Sequence, residues 1–212
     1  MIDLLLPDGA VGCEAFGDTD DAPYPGEEDL IAAAVPGRRR EFVTARRCAR
    51  QALGALGHPP APIRTGPSRE PLWPAGVVGS ITHCAGYRAA AVARRTDVGS
   101  LGLDAEPNTP LPDGVLKSIA RPEEQDRLVG APGISWDKVL FSAKEAVYKA
   151  WFPLTGRWLG FEDASLTFGP GTFRAAILID GTRTDGGPPL TTVSGRFLVE
   201  DGLVLAVAVI PE

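Results

Sequence analysis

Two segments with helical periodicity, each followed by short apolar strands, constrain the fold of this chain more than any other sequence feature. In the first segment, residues 27–57, apolar side chains recur at i, i+3 and i+4 spacing and predict a buried stripe. Its members are Phe42, Ala45, Ala49, Ala52, Leu53 and Leu56. Pro36-Gly37 is expected to divide this segment into two pieces. The second helix is predicted from the N-cap Ser135 to about Trp151. Its apolar face comprises Trp136, Val139, Leu140, Ala143, Val147 and Ala150.

Strands are predicted for much of the remaining chain. A short strand and a loop are expected in residues 1–26. Further strands are predicted at 77–82, 87–94, 98–106, 164–168, 173–179, 191–200 and 203–210. Asp201-Gly202 is a strong hairpin signal between the last two. The order of helix, strands, helix, strands predicts an α+β fold. We expect two similar halves, each a long helix packed on a small antiparallel sheet, joined in one pseudo-dimeric chain.

Length and composition restrict the class of protein. The 212 residues suit one domain or two small halves packed together. Three cysteines without a CxxC spacing argue against a disulfide framework or a zinc site. No apolar run reaches the length of about 18 residues that a membrane span needs. The first residues lack the basic start and apolar stretch of a secretory signal, so a cytoplasmic protein is expected.

The net charge of −6 comes from 21 basic and 27 acidic residues and argues against a nucleic-acid partner. The basic residues are nevertheless clustered. Three of the four lysines lie within residues 138–149, and arginines crowd residues 38–50. This distribution indicates a local site for an anionic ligand.

A pair of carboxylates lies in the motif GLDAEP. Because side chains alternate on a strand, Asp104 and Glu106 share one face, while Leu101, Leu103 and Ala105 face the core. Two adjacent carboxylates repel each other unless a cation lies between them. Mg²⁺ prefers such oxygen ligands together with substrate phosphates. Two solvated acids at an exposed strand end remain the alternative.

A second motif, FSAKEAVYK, lies on the second predicted helix. Glu145 and Lys149 are one turn apart, on a face opposite Trp136. An exposed pair of this kind contributes only about 0.3–0.5 kcal/mol to helix stability. The aromatic residues Phe141 and Tyr148 flank the same face, which suggests that this face contacts another molecule.

The motif GSITHC ends a predicted strand with His83, one of two histidines in the chain. A histidine near the backbone N–H groups of a turn can hold a phosphate, although a buried structural histidine fits equally well. Guanidinium groups also bind phosphates, although a solvated helix face is the alternative. The arginines concerned are Arg38, Arg39, Arg40, Arg46, Arg47 and Arg50.

Taken in order, the Arg-rich helix, the loop PLWP, GSITHC, GLDAEP and FSAKEAVYKAW closely resemble the 4′-phosphopantetheinyl transferases of the Sfp type. The resemblance is greatest to the actinobacterial, enterobactin-synthetase-like branch and runs from about Arg38 to the C-terminus. D-x-E followed later by K-E-A-x-x-K is specific to that superfamily. Its members move the phosphopantetheine arm of coenzyme A onto a serine of a carrier protein.

The resemblance implies a role for each motif. Asp104, Glu106 and Glu145 match the ligands of Mg²⁺, or of Mn²⁺ in its place. Glu145, or a water held by the metal, takes the proton of the carrier serine. Lys149 neutralises the pyrophosphate, so that Glu145, Lys149 and Asp104 form the catalytic set. Residues 101–212 then supply the metal and the catalytic helix, residues 1–100 bind the nucleotide, and the active site lies in the cleft between them.

The coenzyme ligands that the resemblance implies come from both halves. They are Arg38, Arg46, Arg64, Thr65, Gly66, Ser68, Thr82, His83, Lys144 and Lys149. Thr82 and His83 match a phosphate-binding pair, with His83 toward the 3′-phosphate, and the loop Arg64–Ser68 lines the adenine. Related enzymes often carry a lysine in that loop, so either Arg64 or Arg69 supplies the charge here. Some relatives have tryptophan where this chain has Phe141, at a position that needs only an apolar wall.

The implied partners are acyl or peptidyl carrier proteins of polyketide, nonribosomal-peptide or fatty-acid synthases. They are expected to dock beside the connection 107–134, where apolar contacts are offered by Leu111, Val115, Leu116 and Ile119. The length and the two halves suggest a monomer, whereas related short enzymes form trimers. Two other readings remain: a non-catalytic module that binds coenzyme A or a nucleotide, and an interaction protein with surface carboxylates. The intact triplet of acids argues against the first. The second would be favoured if coenzyme A showed no binding that depends on a metal.

Overall fold

The computed structural model describes residues 1–128 and 132–212. Its α-helices are α1 (Pro36–Ala55), α2 (Val115–Ile119), α3 (Pro122–Gln125) and α4 (Trp136–Thr155). Its strands are β1 (Ala10–Phe16), β2 (Val77–Cys84), β3 (Tyr87–Arg94), β4 (Ser100–Pro107), β5 (Ala164–Gly169), β6 (Thr172–Ile177), β7 (Thr192–Glu200) and β8 (Leu203–Ile210). Short 3₁₀ helices cover Ile2–Leu4, Glu28–Ile31 and Phe161–Asp163.

The strands form two antiparallel sheets, which confirms the predicted α+β fold. The first sheet has the order β1-β3-β2, and the second has the order β4-β8-β7-β6-β5. Helix α1 packs on the first sheet and α4 on the second. The apolar stripes predicted for both long helices are buried, apart from Trp136, which is partly buried against the core.

The two sheets also pack on each other, so the layers run helix, sheet, sheet, helix. The apolar side chains between the sheets include Tyr87 and Ala89 of β3, Leu101 and Leu103 of β4, and Leu205 of β8. Each of these five is 0% exposed. Burying one large apolar side chain stabilises a fold by about 1.5–3 kcal/mol, so this shared core holds the halves together as one unit.

Strands β2 and β4 are edge strands of different sheets, and they lie side by side. The hydroxyl of Thr82 on β2 accepts a hydrogen bond of 3.0 Å from the backbone N–H of Ala105 on β4. The hydroxyl of Ser80 donates to the carbonyl of Leu103 at 3.5 Å. These bonds bring the motifs GSITHC and GLDAEP together.

Helix α4 approaches β4 closely because Gly102 has no side chain. A β-carbon at this position would lie 1.9 Å from the carbonyl oxygen of Ala146 and 2.6 Å from the nitrogen of Ala150. The hydroxyl of Ser100 donates to the carbonyl of Ala150 at 2.7 Å and fixes the same contact. The helix therefore lies directly over the strand that carries Asp104.

Several elements differ in extent from the prediction: β2 continues to Cys84, and β6 ends at Ile177. The strand expected in residues 1–26 is β1, whereas the apolar start of the chain forms the 3₁₀ helix Ile2–Leu4. Helix α4 was expected to end near Trp151 but continues through Pro153. Buried Leu154 and the left-handed cap Gly156, with φ of 65°, stabilise this extra turn. None of the helices in the described residues has the length and apolar character needed to cross a lipid bilayer.

Candidate active site

Three carboxylates converge where α4 crosses β4. Asp104 lies on the strand face toward α4 and is only 6% exposed. Its Oδ1 accepts a hydrogen bond of 2.7 Å from Lys149 Nζ of α4, which also donates to the carbonyl of Leu103 at 3.0 Å. Its Oδ2 is buried and has no hydrogen-bond partner among the described residues. Glu106, two residues along the strand, and Glu145 on the helix complete the cluster.

The carboxylates perturb one another. Burial raises the pKa of Glu145, and the negative charges of Asp104 and Glu106 raise it further. Burial also raises the pKa of Glu106, with Asp104 adding to the shift. Charged carboxylates this close are favoured only when positive charge enters the cluster. Two lysines supply part of that charge, because Lys149 contacts Asp104 and Lys138 donates to Glu106 Oε2 at 3.2 Å.

The cluster has the donor atoms that a hard divalent cation prefers. Within residues 1–128 and 132–212, no three acidic, cysteine or histidine side chains are already arranged around a common metal position. Lys138 and Lys149 instead pair with one oxygen each of Glu106 and Asp104. Asp104 Oδ2 is a buried acceptor for which the described part of the chain supplies no hydrogen-bond donor. The residues therefore fit a magnesium-like ion, provided that the lysines turn away from the acids.

A cluster of basic side chains lies on the N-terminal half, at the end of β2. Arg38 Nη1 donates to His83 Nε2 at 2.5 Å and to Glu41 Oε2 at 3.1 Å. Burial lowers the pKa of His83, and the positive charge of Arg38 lowers it further. A neutral imidazole beside a guanidinium can gain a proton when an anion binds. The pair therefore suits a phosphate.

Arg46 lies deeper in the same region. It is 7% exposed, its guanidinium stacks 3.6 Å from the ring centre of Phe42, and its Nε donates to the carbonyl of Ile63 at 3.1 Å. Burial lowers its pKa to about 10. The nearby charges of three further arginines lower it too, and Glu27 opposes them. These arginines are Arg50, Arg38 and Arg64. The excess of guanidinium groups would be stabilised by a bound anion.

The loop Arg64–Ser68, termed the 64–68 loop, begins directly after Ile63, whose carbonyl accepts the hydrogen bond from Arg46. Arg64 forms a two-pronged ion pair with Asp29, with nitrogen–oxygen distances of 2.6 and 2.7 Å. Thr65 forms an isolated bridge with Pro71, and the N–H of Gly66 donates to the carbonyl of Glu70 at 2.8 Å. The charge of Arg64 is thus neutralised within the protein. Arg69, just after the loop, makes no ion pair with the described residues and faces the cleft.

A cleft of about 740 Å³ lies between the halves, and two of the predicted site residues, Ser68 and Lys149, line it. Ser68, Arg69 and Trp73 line it from the N-terminal half, and Tyr148 and Lys149 line it from α4. A much smaller cavity, of about 70 Å³, is lined by Glu145, Tyr148 and Trp158 among others. Another groove, of about 770 Å³ on the outer face of β5, β6 and β7, contains none of the predicted site residues.

The structure gives two predicted coenzyme ligands other partners. The ammonium of Lys144 donates to Glu124 Oε2 at 2.7 Å and to the carbonyls of Phe161 and Ala164 at 2.6 and 3.1 Å. All three of its protons are used inside the C-terminal half, which leaves none for a coenzyme. The hydroxyl of Thr82 is 2% exposed and joins β2 to β4. Both residues therefore have structural contacts that the sequence motifs did not reveal.

The sequence motifs also missed residues that border the site. Trp158 is 72% exposed, its ring centre lies 4.9 Å from that of Tyr148, and it lines the small cavity beside Glu145. Burial raises the pKa of Cys84 to about 11, and the charges of Glu106 and Asp104 contribute. For Trp158, the signal available in the sequence was a tryptophan shortly after the predicted helix whose face carries Phe141 and Tyr148. Cys84 ends the motif GSITHC, but the sequence did not show that it lies near the acids, because only the packing of β2 beside β4 brings it there.

Comparison with known proteins identifies the family. The sequence model of the 4′-phosphopantetheinyl transferase N-terminal domain matches residues 26–93, and that of the 4′-phosphopantetheinyl transferase superfamily matches residues 100–192. The chain is 49% identical to 4′-phosphopantetheinyl transferase Npt of Nocardia iowensis, over 97% of both chains. It is 56% identical to 4′-phosphopantetheinyl transferase PptT of Mycobacterium tuberculosis, over 89% of this chain and 86% of that one. It is 51% identical to 4′-phosphopantetheinyl transferase Svp of Streptomyces mobaraensis, over 99% of this chain and 89% of that one. The chain therefore belongs to the 4′-phosphopantetheinyl transferase family.

Proposed function

We propose that this transferase binds coenzyme A across the cleft between its halves and Mg²⁺, or Mn²⁺ in its place, at Asp104, Glu106 and Glu145. Transfer of phosphopantetheine to carrier proteins is the activity of the family to which the chain belongs. One observation carries the assignment of the site. A carboxylate cluster, in which a buried oxygen has no partner among the described residues, lies along the same pair of edge strands as a cluster of basic side chains.

The reaction is a displacement at phosphorus. The serine oxygen of the carrier forms a bond to the phosphorus that carries pantetheine, and the bond from that phosphorus to the bridging pyrophosphate oxygen breaks. The leaving group is adenosine 3′,5′-bisphosphate. Displacements of this kind need charge neutralisation and in-line positioning more than a strong base. A bound divalent cation would supply neutralisation of the pyrophosphate oxygens.

The acidic residues and Lys149 have distinct roles in this proposal. Glu145 takes the serine proton, a role supported by its raised pKa, which makes the carboxylate a better proton acceptor near neutral pH. Lys149, which pairs with Asp104 here, would donate to the pyrophosphate instead once the acids hold a cation. Its position on the wall of the cleft supports this exchange, since its ammonium is already at the border between the acids and the solvent-filled space.

The nucleotide end of coenzyme A binds on the N-terminal half. Arg38 and His83 hold the 3′-phosphate, and the buried Arg46 adds positive charge behind them. The 64–68 loop lines the adenine. We assign the charge beside the adenine to Arg69 rather than Arg64, because the Asp29 carboxylate already pairs with Arg64. We assign structural roles to Lys144 and Thr82, on the basis of the contacts described above.

The pantetheine arm lies along the aromatic side chains next to Glu145. Tyr148 and Trp158 form an apolar surface there, and the cavity that they line adjoins the catalytic carboxylate. The arrangement leads the arm from the pyrophosphate at Lys149 past the side chain of Glu145.

The carrier protein is an acyl or peptidyl carrier of a polyketide, nonribosomal-peptide or fatty-acid synthase, and it docks beside the connection 107–134. Residues 129–131 of this connection lie outside the described residues. Ile119 is 4% exposed, whereas Leu111, Val115 and Leu116 are each partly exposed, with Leu116 also packed against the main core. We further propose that the enzyme acts as a monomer, with residues 1–100 and 101–212 as its two functional halves.

Mass spectrometry of candidate apo-carriers tests the proposed function. Each carrier is incubated with coenzyme A, Mg²⁺ and the enzyme, and the expected result is a gain of one phosphopantetheine on its serine. The same incubation with a metal chelator should give no gain. If the enzyme binds coenzyme A but modifies none of the three carrier classes, the chain is better described as a coenzyme-binding module. Equal transfer with and without the chelator would refute the role of the cation.

A further inference from the structure

Glu27 is a fully buried carboxylate in a part of the chain that none of the catalytic motifs includes. Its side chain is 0% exposed. Its Oε1 accepts a hydrogen bond of 2.6 Å from Arg50 Nη1 of α1 and one of 2.7 Å from the backbone N–H of Ile63. Its Oε2 is buried without a partner among the residues that the structure describes. A buried charge that is not completely paired is costly, so it is retained where its position matters.

The contacts of Glu27 hold the start of the 64–68 loop. Ile63 is the residue before this loop, and both its backbone N–H and its carbonyl form hydrogen bonds to side chains. Its N–H donates to Glu27, and its carbonyl accepts from Arg46 of α1 at 3.1 Å. Arg64, the next residue, binds Asp29, which lies two residues after Glu27. Glu27 therefore ties Ile63 to α1 through Arg50, and Asp29 holds the next residue, Arg64.

The same carboxylate separates positive charges. Glu27 is the acidic group that raises the pKa of Arg46, whereas Arg50 and Arg38 lower it. Without the carboxylate, Arg46 and Arg50 would repel each other in a buried region and Ile63 N–H would lose its acceptor. Both changes would displace the loop from the arginines of α1.

We infer that Glu27 is a positioning residue for the nucleotide end of coenzyme A, which fixes the distance between the 64–68 loop and the arginines of α1. The inference rests on the proposed function, in which that loop lines the adenine and Arg38 and Arg46 bind the phosphates. Glu27 touches neither the carboxylate cluster nor Lys149. Its effect should therefore be confined to binding of the nucleotide, and the chemical step should be unchanged.

Steady-state kinetics of Glu27→Gln test this separation. The amide keeps the size of the side chain but loses its charge. The expected result is a KM for coenzyme A raised by about tenfold, because a loop displaced by a fraction of an ångström loses its contacts. The value of kcat and the KM for the carrier protein should stay within about twofold. The Kd of adenosine 3′,5′-bisphosphate, measured by calorimetry, should rise by the same factor as the KM for coenzyme A.

Glu14→Gln is the matched control. Glu14 is also a carboxylate in the N-terminal half, and it accepts hydrogen bonds from the chain amino terminus and Tyr87, away from the loop. It should lower Tm without changing the KM for coenzyme A. Should Glu27→Gln not fold, Arg50→Lys tests the same contact, because a lysine cannot reproduce the guanidinium geometry. An unchanged KM for coenzyme A in the folded variant, or an equal rise in Glu14→Gln, would overturn the inference.

A separate variant distinguishes failure of the inference from failure of the proposed site. Arg38→Ala removes a proposed phosphate ligand and should itself weaken binding of adenosine 3′,5′-bisphosphate. If Arg38→Ala has no effect, the proposed site is wrong. If Arg38→Ala weakens binding and Glu27→Gln does not, the site stands and Glu27 has no positioning role.

Discussion

Asp104 connects the two kinds of charge in the site. One of its oxygens binds Lys149, and the other is buried without a partner among the described residues. Asp104 thus already binds one cationic group, Lys149, and its second oxygen could accept a further one. Glu145, whose pKa is raised by burial and by Asp104, is the neighbour best suited to accept a proton.

Replacing Glu145 by glutamine should separate chemistry from folding. Glu145→Gln keeps the shape of the side chain but removes both the proton acceptor and a cation ligand. We expect kcat to fall by about 100-fold or more, because loss of a general base costs that much. Tm should be retained or increased, since one member of a repulsive cluster is gone. Rates from a carrier-modification assay and thermal unfolding curves measure both. Glu200→Gln, at the exposed end of β7, serves as the control and should behave as wild type.

His83 should couple coenzyme binding to pH. Burial and Arg38 hold its pKa below the ordinary value of 6.5, so the free imidazole is neutral near pH 7. A bound phosphate dianion favours the protonated form and raises this pKa. Binding of adenosine 3′,5′-bisphosphate should therefore take up a proton, and affinity should fall as pH rises through the pKa of the complex. Calorimetry in buffers of different ionisation enthalpy measures the uptake. If His83→Gln takes up as many protons as wild type, His83 is not the linked group.

At the scale of elements, the contact of α4 with β4 sets the geometry of the acids. The strand supplies Asp104 and Glu106, and the helix supplies Glu145 and Lys149. They meet because the helix backbone lies against Gly102. A side chain at this position would meet backbone atoms, which cannot rotate aside, so the helix itself would have to shift.

Gly102→Ala should therefore damage both stability and activity. The new methyl group would force α4 away from β4 and move Glu145 away from Asp104. Overpacking of this kind costs about 1–3 kcal/mol or more of folding free energy. Urea unfolding measures the loss. Gly54→Ala is the control, because Gly54 is exposed in α1 with no atom near the added methyl, and alanine should stabilise the helix there by about 1 kcal/mol. Normal activity in Gly102→Ala would mean that the acids do not depend on this contact.

A similar contact recurs in the two halves. Glu27 precedes α1, pairs with Arg50 of that helix and accepts the N–H of Ile63 after it. In the second half, Glu124 precedes α4, pairs with Lys144 and accepts the N–H of Leu166 after the helix. Each half thus uses one buried acid to tie its long helix to the segment that follows. This correspondence supports the description of the chain as two similar units.

The elements were predictable from the sequence where local pattern decides them. Strand β8 has the predicted bounds Leu203–Ile210, because the hairpin turn and the continuous apolar run determine it. The end of α4 was not predictable, since Pro153 signals a break and only the burial of Leu154 outweighs it.

The site was predictable in part. Alternation on one strand placed Asp104 and Glu106 on a common face, and helical spacing placed Glu145 and Lys149 on another. The sequence could not show that Lys144 is committed to Glu124, because that pair joins residues 20 positions apart through tertiary packing. The role of Glu27 was hidden for the same reason.

At the scale of the whole molecule, the net charge of −6 hides a separation of charge. The guanidinium groups around Arg46 lie on the N-terminal half, and the acids lie on the C-terminal half. The edge strands β2 and β4 hold the two regions side by side. A coenzyme with phosphates at both ends of its nucleotide would contact both halves at once. The metal would then neutralise the pyrophosphate of the coenzyme, and the arginines would neutralise its 3′-phosphate.

Calorimetric titration of the enzyme with coenzyme A, in the presence and absence of Mg²⁺, tests this central claim most directly. If the acids hold a cation that contacts the pyrophosphate, Mg²⁺ should tighten binding by about tenfold or more. Glu106→Gln should remove most of that gain while leaving binding without Mg²⁺ intact. Equal affinity of the wild-type enzyme with and without Mg²⁺ would contradict the claim.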